Sequence, residues 1–192
     1  MNQQPEHDTP FKLIKHFSIL NLLKLFKPIK TFVFDVDGVL AIDTMIVMPD
    51  GELVRSMNSK DGYAMQLAIK KGYHIIIITG GNSEPVKQRL IKLGVKEVFL
   101  GVRNKQETLQ AYMAEHQMSI DEMLYMGDDI PDYIAMQLTA LPCCPADAVP
   151  EIKQISKYIS PFTGGYGCVR DVIEKVLKLN GHWDVDTSLT ST

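Results

Sequence analysis

Two pairs of carboxylates follow directly behind apolar runs in this chain. Residues 32–38 read Phe-Val-Phe-Asp-Val-Asp-Gly, which sets Asp35 and Asp37 at the end of a short apolar stretch. A continuous apolar run of this length suits a strand buried on both faces of a parallel sheet. The C-terminal ends of such strands are where open α/β sheets hold their ligands. Two like charges about 4 Å apart repel by about 4 kcal/mol at an effective dielectric of 20, a cost that a fold keeps when a cation or a reaction uses the pair. A strand running into a polar Asp-Gly turn is the purely structural reading of the same residues.

The second pair tips that balance. Residues 123–126 are again apolar and end in Gly127-Asp128-Asp129-Ile130-Pro131-Asp132. If the two strands are parallel neighbours, Asp35, Asp37, Asp128 and Asp129 crowd one crevice, and a hard divalent cation relieves their repulsion. Carboxylate and carbonyl oxygens with retained waters are what Mg²⁺ prefers. No His or Cys cluster accompanies them, which argues against zinc. A calcium loop fails as well, because the chain turns apolar after Gly38 and the later oxygen ligands are missing. Two further strand ends suit an anionic ligand. Thr79 precedes Gly80-Gly81 and a helix start, so a hydroxyl and free backbone N–H groups meet there. Lys105 opens a later helix and brings a positive charge; alone it reads as a surface lysine, and Thr79 alone as a turn residue.

The elements that must position these residues alternate between strand and helix, which implies an α/β fold: a Rossmann-like parallel sheet with helices on both faces. Strands are expected near 31–35, 74–79, 95–99, 123–126, 140–143 and 157–159. Helices are expected from near Asp61 to Gly72, from Asn82 or Ser83 to Gly94, over 104–116, after Pro131 and over 168–180. Between the first strand and first helix, residues 41–57 hold a β-hairpin around Pro49-Asp50-Gly51. That insertion and the segment from Thr79 to Lys105 are too short for a cap domain, so a hairpin flap stands in its place. Residues 1–30 read as an N-terminal extension whose stretch from Phe11 to Lys27 patterns as an amphipathic helix, closed by Pro28. Packing on the domain or on a partner subunit is preferred for it over attachment to an anionic lipid surface. The domain proper is expected over 31–183, with a mobile polar tail over 184–192.

Bulk properties narrow the classes. The chain has 192 residues, 45% of them apolar, enough for one domain with a real core. A net charge of −3 leaves no electrostatic footprint for nucleic acid. Three cysteines, an odd number, argue against a disulfide framework and fit a reducing, cytoplasmic setting. The adjacent Cys143 and Cys144 read as packing residues.

The ordered set Asp35-Val36-Asp37-Gly38, Thr79-Gly80, Lys105 and Gly127-Asp128-Asp129 resembles the haloacid dehalogenase superfamily of phosphotransferases over about residues 31–180. The resemblance implies that Asp35 is the nucleophile forming an aspartyl-phosphate and that Asp37 is general acid, then base. Thr79 and Lys105 would hold the phosphoryl group. Asp128 would ligate Mg²⁺ beside Asp35 and the backbone carbonyl of Asp37, with Asp129 in support.

A closer likeness is to the capless, tetrameric 3-deoxy-D-manno-octulosonate 8-phosphate phosphatases of lipopolysaccharide synthesis. It is carried by Asp35 to Leu40, Asn58-Ser59-Lys60-Asp61-Gly62, Ile78-Thr79-Gly80, Gly127-Asp128-Asp129, Gly164-Gly165 and Gly167 to Asp171. By that resemblance Asn58, Ser59, Lys60, Asp61 and Gly62 form the sugar-binding loop, Gly80 and Arg89 also meet the ligand, and the hairpin builds a homotetramer. Gly81 departs from the pattern, since many members carry arginine there, so a nine-carbon keto-deoxy sugar acid 9-phosphate is the alternative substrate. An Asp-phosphorylated signalling domain is the non-enzymatic alternative. Receiver domains, however, carry their acidic pair and their phosphorylated Asp in the opposite order. A catalytically idle scaffold is a third reading, opposed by the completeness of the motif set.

Overall fold

A computed structural model of the chain describes residues 21–189. Its strands are β1 (Thr31–Phe34), β2 (Ile46–Val47), β3 (Leu53–Val54), β4 (His74–Ile78), β5 (Glu97–Phe99), β6 (Met123–Met126), β7 (Leu141–Cys144) and β8 (Tyr158–Ile159). The helices are α1 (Ser59–Lys70), α2 (Glu84–Lys92), α3 (Lys105–His116), α4 (Tyr133–Gln137), α5 (Pro150–Ile155) and α6 (Cys168–Leu179). Six strands form one sheet in the order β5-β4-β1-β6-β7-β8, every pair parallel. β2 and β3 pair antiparallel as a separate hairpin. The α/β reading and the flap in place of a cap both hold among the described residues.

Strand sequences divide between the two faces with the period of two that a pleated strand imposes. Phe32, Phe34, Ile75, Ile77, Leu124 and Met126 face one side, where they meet side chains of α1, α2 and α6. Val33, Ile76, Ile78, Met123 and Tyr125 face the other, against α3, α4 and α5. Both faces are covered, which is why these strands read as unbroken apolar runs. Register then fixes the site: Phe34 lies opposite Ile77 on one side and Met126 on the other. The residues following β1, β4 and β6 therefore emerge at one edge.

Several sequence expectations are corrected. The first helix starts at Ser59 rather than near Asp61, because Asn58 caps it by accepting from the Lys60 N–H. α5 was not expected; at six residues it is too short to show a helical period, and Pro150 at its start is the one signal. The domain core begins before residue 31: Phe26 and Ile29 are buried, and Phe26 packs edge-on against Tyr158 with ring centroids 5.1 Å apart. Residues 21–26 are helical, and the rest of the expected amphipathic helix lies outside the described residues. The described part of the tail runs along α1, touching it through exposed ion pairs. Lys71 pairs with Asp184 and Lys70 with Asp186, both at 2.6 Å, while Trp183 packs edge-on to Tyr63 and under Arg170. No described helix is long and apolar enough to cross a membrane.

Candidate active site

The chain leaves β1 through Asp35, whose N–H still donates to Met126. Its Oδ1 accepts from the Val36 N–H at 2.7 Å, and its Oδ2 lies 2.9 Å from Lys105 Nζ. The backbone then turns through Gly38 at φ 81°. A side chain at Gly38 is impossible: its Cβ would stand 1.9 Å from Asp128 Oδ2. The absence of that carbon lets the carboxylate that follows β6 lie against the β1 turn. Gly127 has the same role toward Asp132, whose Cβ would sit 2.4 Å from one at Gly127.

Lys105 is 5% exposed at the first turn of α3, which Asn104 caps. Its ammonium bridges Asp35 and Asp132, the latter at 2.8 Å. Tyr125 donates its hydroxyl to the same Asp132 oxygen, also at 2.8 Å. Oxygens of Asp35, Asp128 and Asp132 lie within 4.8 Å of one another. Burial pushes the Asp35 carboxyl well up from its ordinary value; Asp132 adds to that shift and Lys105 opposes it. Asp128 is pushed up to about 8, by burial first and then by the charges of Asp35 and Asp132. Burial pulls Lys105 down, but Asp132 and Asp35 outweigh it and hold the ammonium above its usual value. One cation thus pairs with the buried Asp35 and Asp132 beside the half-buried Asp128, and Asp128 Oδ1 and Asp132 Oδ2 are buried with no hydrogen-bond partner. An oxygen-only donor set with orphaned acceptors fits a hard divalent ion.

Asp37 faces the same crevice, of about 450 Å³, and both of its oxygens are taken. Arg55, just beyond β3, donates Nε to Oδ1 at 2.6 Å and Nη2 to Oδ2 at 3.0 Å. Thr79 follows β4, 3% exposed, with its Oγ1 accepting from the Gly81 N–H at 3.0 Å. That bond leaves the hydroxyl proton free to be donated into the crevice. Gly80, Gly81 and the exposed Asp129 complete the rim.

The structure thus brings together Asp35, Asp37, Thr79, Gly80, Lys105, Asp128 and Asp129. It does not gather the stretch from Asn58 to Gly62 there. Asn58 and Lys60 line a separate cavity of about 570 Å³ with Arg170. Ser59 and Arg89 line another, of about 450 Å³, whose wall is shared with Arg55. Asp61 and Gly62 are buried, and the expectation that they face a ligand is not met in this conformation. Asp61 Oδ1 accepts from the Arg170 N–H at 2.7 Å, which caps the start of α6 from a different helix. Sequence reasoning placed Asp132 in the second acidic cluster without giving it a role, and missed Tyr125 and Arg55. The four-residue step from Asp128 to Asp132 across Pro131 was the available signal for the first; nothing local marked the other two.

No protein-family model matches the chain. It is 30% identical over 156 residues to the 3-deoxy-D-manno-octulosonate 8-phosphate phosphatase KdsC of Escherichia coli K12, covering 81% of this chain and 83% of that protein. Among solved structures, the 3-deoxy-D-manno-octulosonate 8-phosphate phosphatase of Yersinia pestis superposes with a TM-score of 0.84 at 26% identity, covering 88% of this chain and 92% of that one. The Moraxella catarrhalis phosphatase of the same name, solved with a magnesium ion, a phosphate ion and a KDO molecule, gives a TM-score of 0.79 at 30% identity, over 83% and 91% of the two chains.

Proposed function

This chain belongs to the 3-deoxy-D-manno-octulosonate 8-phosphate phosphatase family of haloacid dehalogenase-type hydrolases, and from that premise we propose that it is a Mg²⁺-dependent phosphatase of that eight-carbon sugar acid phosphate. The observation that carries the reading is the meeting of Asp35, Lys105, Thr79 and the orphaned Asp128 oxygen at one sheet edge.

Asp35, Asp128 and the backbone carbonyl of Asp37 would hold Mg²⁺, with Asp132 close enough to share the charge. Bound there, the ion neutralises the carboxylates and the charge on a transferring phosphoryl group. Asp35 attacks phosphorus, so that an Oδ–P bond forms while the bond to the sugar O8 breaks. Its backbone hydrogen bond to Val36 and its contact with Lys105 fix the attacking carboxylate in place. Asp37 delivers a proton to the departing O8, then takes one from the water that cleaves the aspartyl-phosphate. Thr79 donates its hydroxyl to a phosphoryl oxygen, and Lys105 holds another.

The hairpin presents Ile46 and Val47 at 64% and 70% exposure, with free strand edges. Such a surface favours burial in an oligomer, and we assign it to a homotetramer working in the cytoplasm. Steady-state release of phosphate from the eight-carbon and nine-carbon keto-deoxy sugar acid phosphates tests the whole reading. Turnover that stops with chelator, returns with Mg²⁺ and favours the eight-carbon substrate by at least about tenfold, or about 1.4 kcal/mol, is expected. Full activity in Asp35→Asn would refute the covalent mechanism.

A further inference from the structure

Asp37 must hand a proton to the leaving oxygen, yet Arg55 occupies both of its oxygens. Each oxygen keeps a second lone pair, but the bidentate guanidinium favours the ionised carboxylate, and an oxygen that carries the transferable proton is a poor acceptor for it; loading Asp37 as the acid therefore weakens one of those bonds. Arg55 is not a casual surface partner. Its side chain is 6% exposed, and its Nη1 is tied to the Leu53 carbonyl at 3.0 Å, which anchors it to the hairpin. The guanidinium also lies over Gly81: a Cβ built there would stand 3.0 Å from Arg55 Nη2, 3.2 Å from Asp37 Oδ2 and 3.4 Å from Thr79 Oγ1. The space beside the phosphate-binding Thr79 is therefore filled by Arg55, and Gly81 is what keeps it open.

Charge favours the same assignment. Asp35, Asp37, Asp43, Asp128, Asp129 and Asp132 all line the crevice, against Lys105 and Arg103. A phosphate group entering that field gains from every added cation, and Arg55 Nη2 and Thr79 Oγ1 both lie within 3.4 Å of where a Gly81 side chain would begin. Guanidinium donors suit phosphate oxygens as well as carboxylates.

We propose that Arg55 is a substrate-binding residue that clamps Asp37 in the free enzyme and transfers a donor to the incoming phosphoryl group, freeing one Asp37 oxygen for proton transfer. The inference rests on the phosphatase reading but extends it to a residue of the flap. It makes Arg55 and Gly81 a functional pair: a long cationic side chain is needed at one of the two positions and excluded from the other.

The test measures binding of inorganic phosphate by calorimetric titration at saturating Mg²⁺, together with kcat and KM on the sugar phosphate. Arg55→Ala and Arg55→Gln should each weaken phosphate binding by at least about tenfold and lower kcat. Gly81→Arg alone should also lose activity, because two guanidinium groups compete for one space. The double variant Arg55→Ala/Gly81→Arg should recover at least tenfold over Arg55→Ala in both readouts. A purely structural role for Arg55 predicts no such recovery. Phosphate binding within twofold of the parent in Arg55→Gln, or a double variant no better than Arg55→Ala, overturns the proposal. The titrations need no turnover, so inactivity of the parent enzyme on the sugar phosphate would defeat the substrate assignment while leaving Arg55 to be judged on phosphate affinity.

Discussion

Replacing Lys105 by methionine keeps the buried stem and removes the ammonium that sits 2.9 Å from Asp35 and 2.8 Å from Asp132. At an effective dielectric of 20, each contact is worth about 6 kcal/mol of Coulomb attraction. The cost of stripping water from three charges cancels most of that, and removing one partner from a buried ion pair costs about 3–5 kcal/mol. The loss should depend on pH in a fixed direction. Asp35 already titrates above its ordinary value through burial and Asp132, and Lys105 is what restrains it. In Lys105→Met it rises further. A carboxyl raised in the folded state stabilises fully below its unfolded value and loses that contribution as pH climbs through the folded value. The variant's deficit should therefore be smaller at about pH 5 than at about pH 8, where it reaches about 3–5 kcal/mol. Urea unfolding at both pH values, with chelator present so that no bound metal masks the charge, reads this directly. An equal deficit at the two pH values, or a deficit under about 1 kcal/mol at the higher one, refutes the electrostatic account of the site.

Three further outcomes follow from the same contacts. Burial pushes Asp61 up from 3.8 to about 6, so the parent should lose about 2 kcal/mol relative to Asp61→Asn as pH rises from about 4 to about 7; parallel pH–stability curves would contradict this. Val47→Asp on the exposed hairpin should shift the particle to a smaller species in light scattering, since it charges the face assigned to association; an unchanged mass would remove the hairpin from the interface. Trp183→Ala should lower stability by about 1–2 kcal/mol, because it strips the edge contact with Tyr63 of α1 and the cation–π contact with Arg170 of α6; an unaltered melting curve would show that Trp183 contributes nothing.

How far the sequence foretold the molecule depended on whether the cause was local. β1, β4 and β6 were readable because burial on both faces writes itself as an apolar run, and the residues that end them fell on one edge as expected. The hairpin was readable from its turn. The roles of Asp61 and Arg55 were not, because each is set by a partner more than a dozen residues away: Asp61 by the start of α6, and Arg55 by Asp37. The motif from Asn58 to Gly62 looked like one ligand loop, but helix geometry sends its neighbours to different sides. Position 61 turns inward to cap α6, whereas positions 58 and 60 face an open cavity.

The place of β1 in the middle of the sheet governs how the protein can be made. It leaves the ribosome before both of its neighbours, β6 about 90 residues further on. At about 5–20 residues per second, that interval is roughly 5–18 s. Throughout it the strand leading to the nucleophile has no completed ladder, and Phe32 and Phe34 have no interior to enter. A half-synthesised chain therefore cannot assemble a working catalytic edge, and its nascent form is a client for whatever shields greasy segments during translation. Long-range pairing of this kind also makes refolding slow.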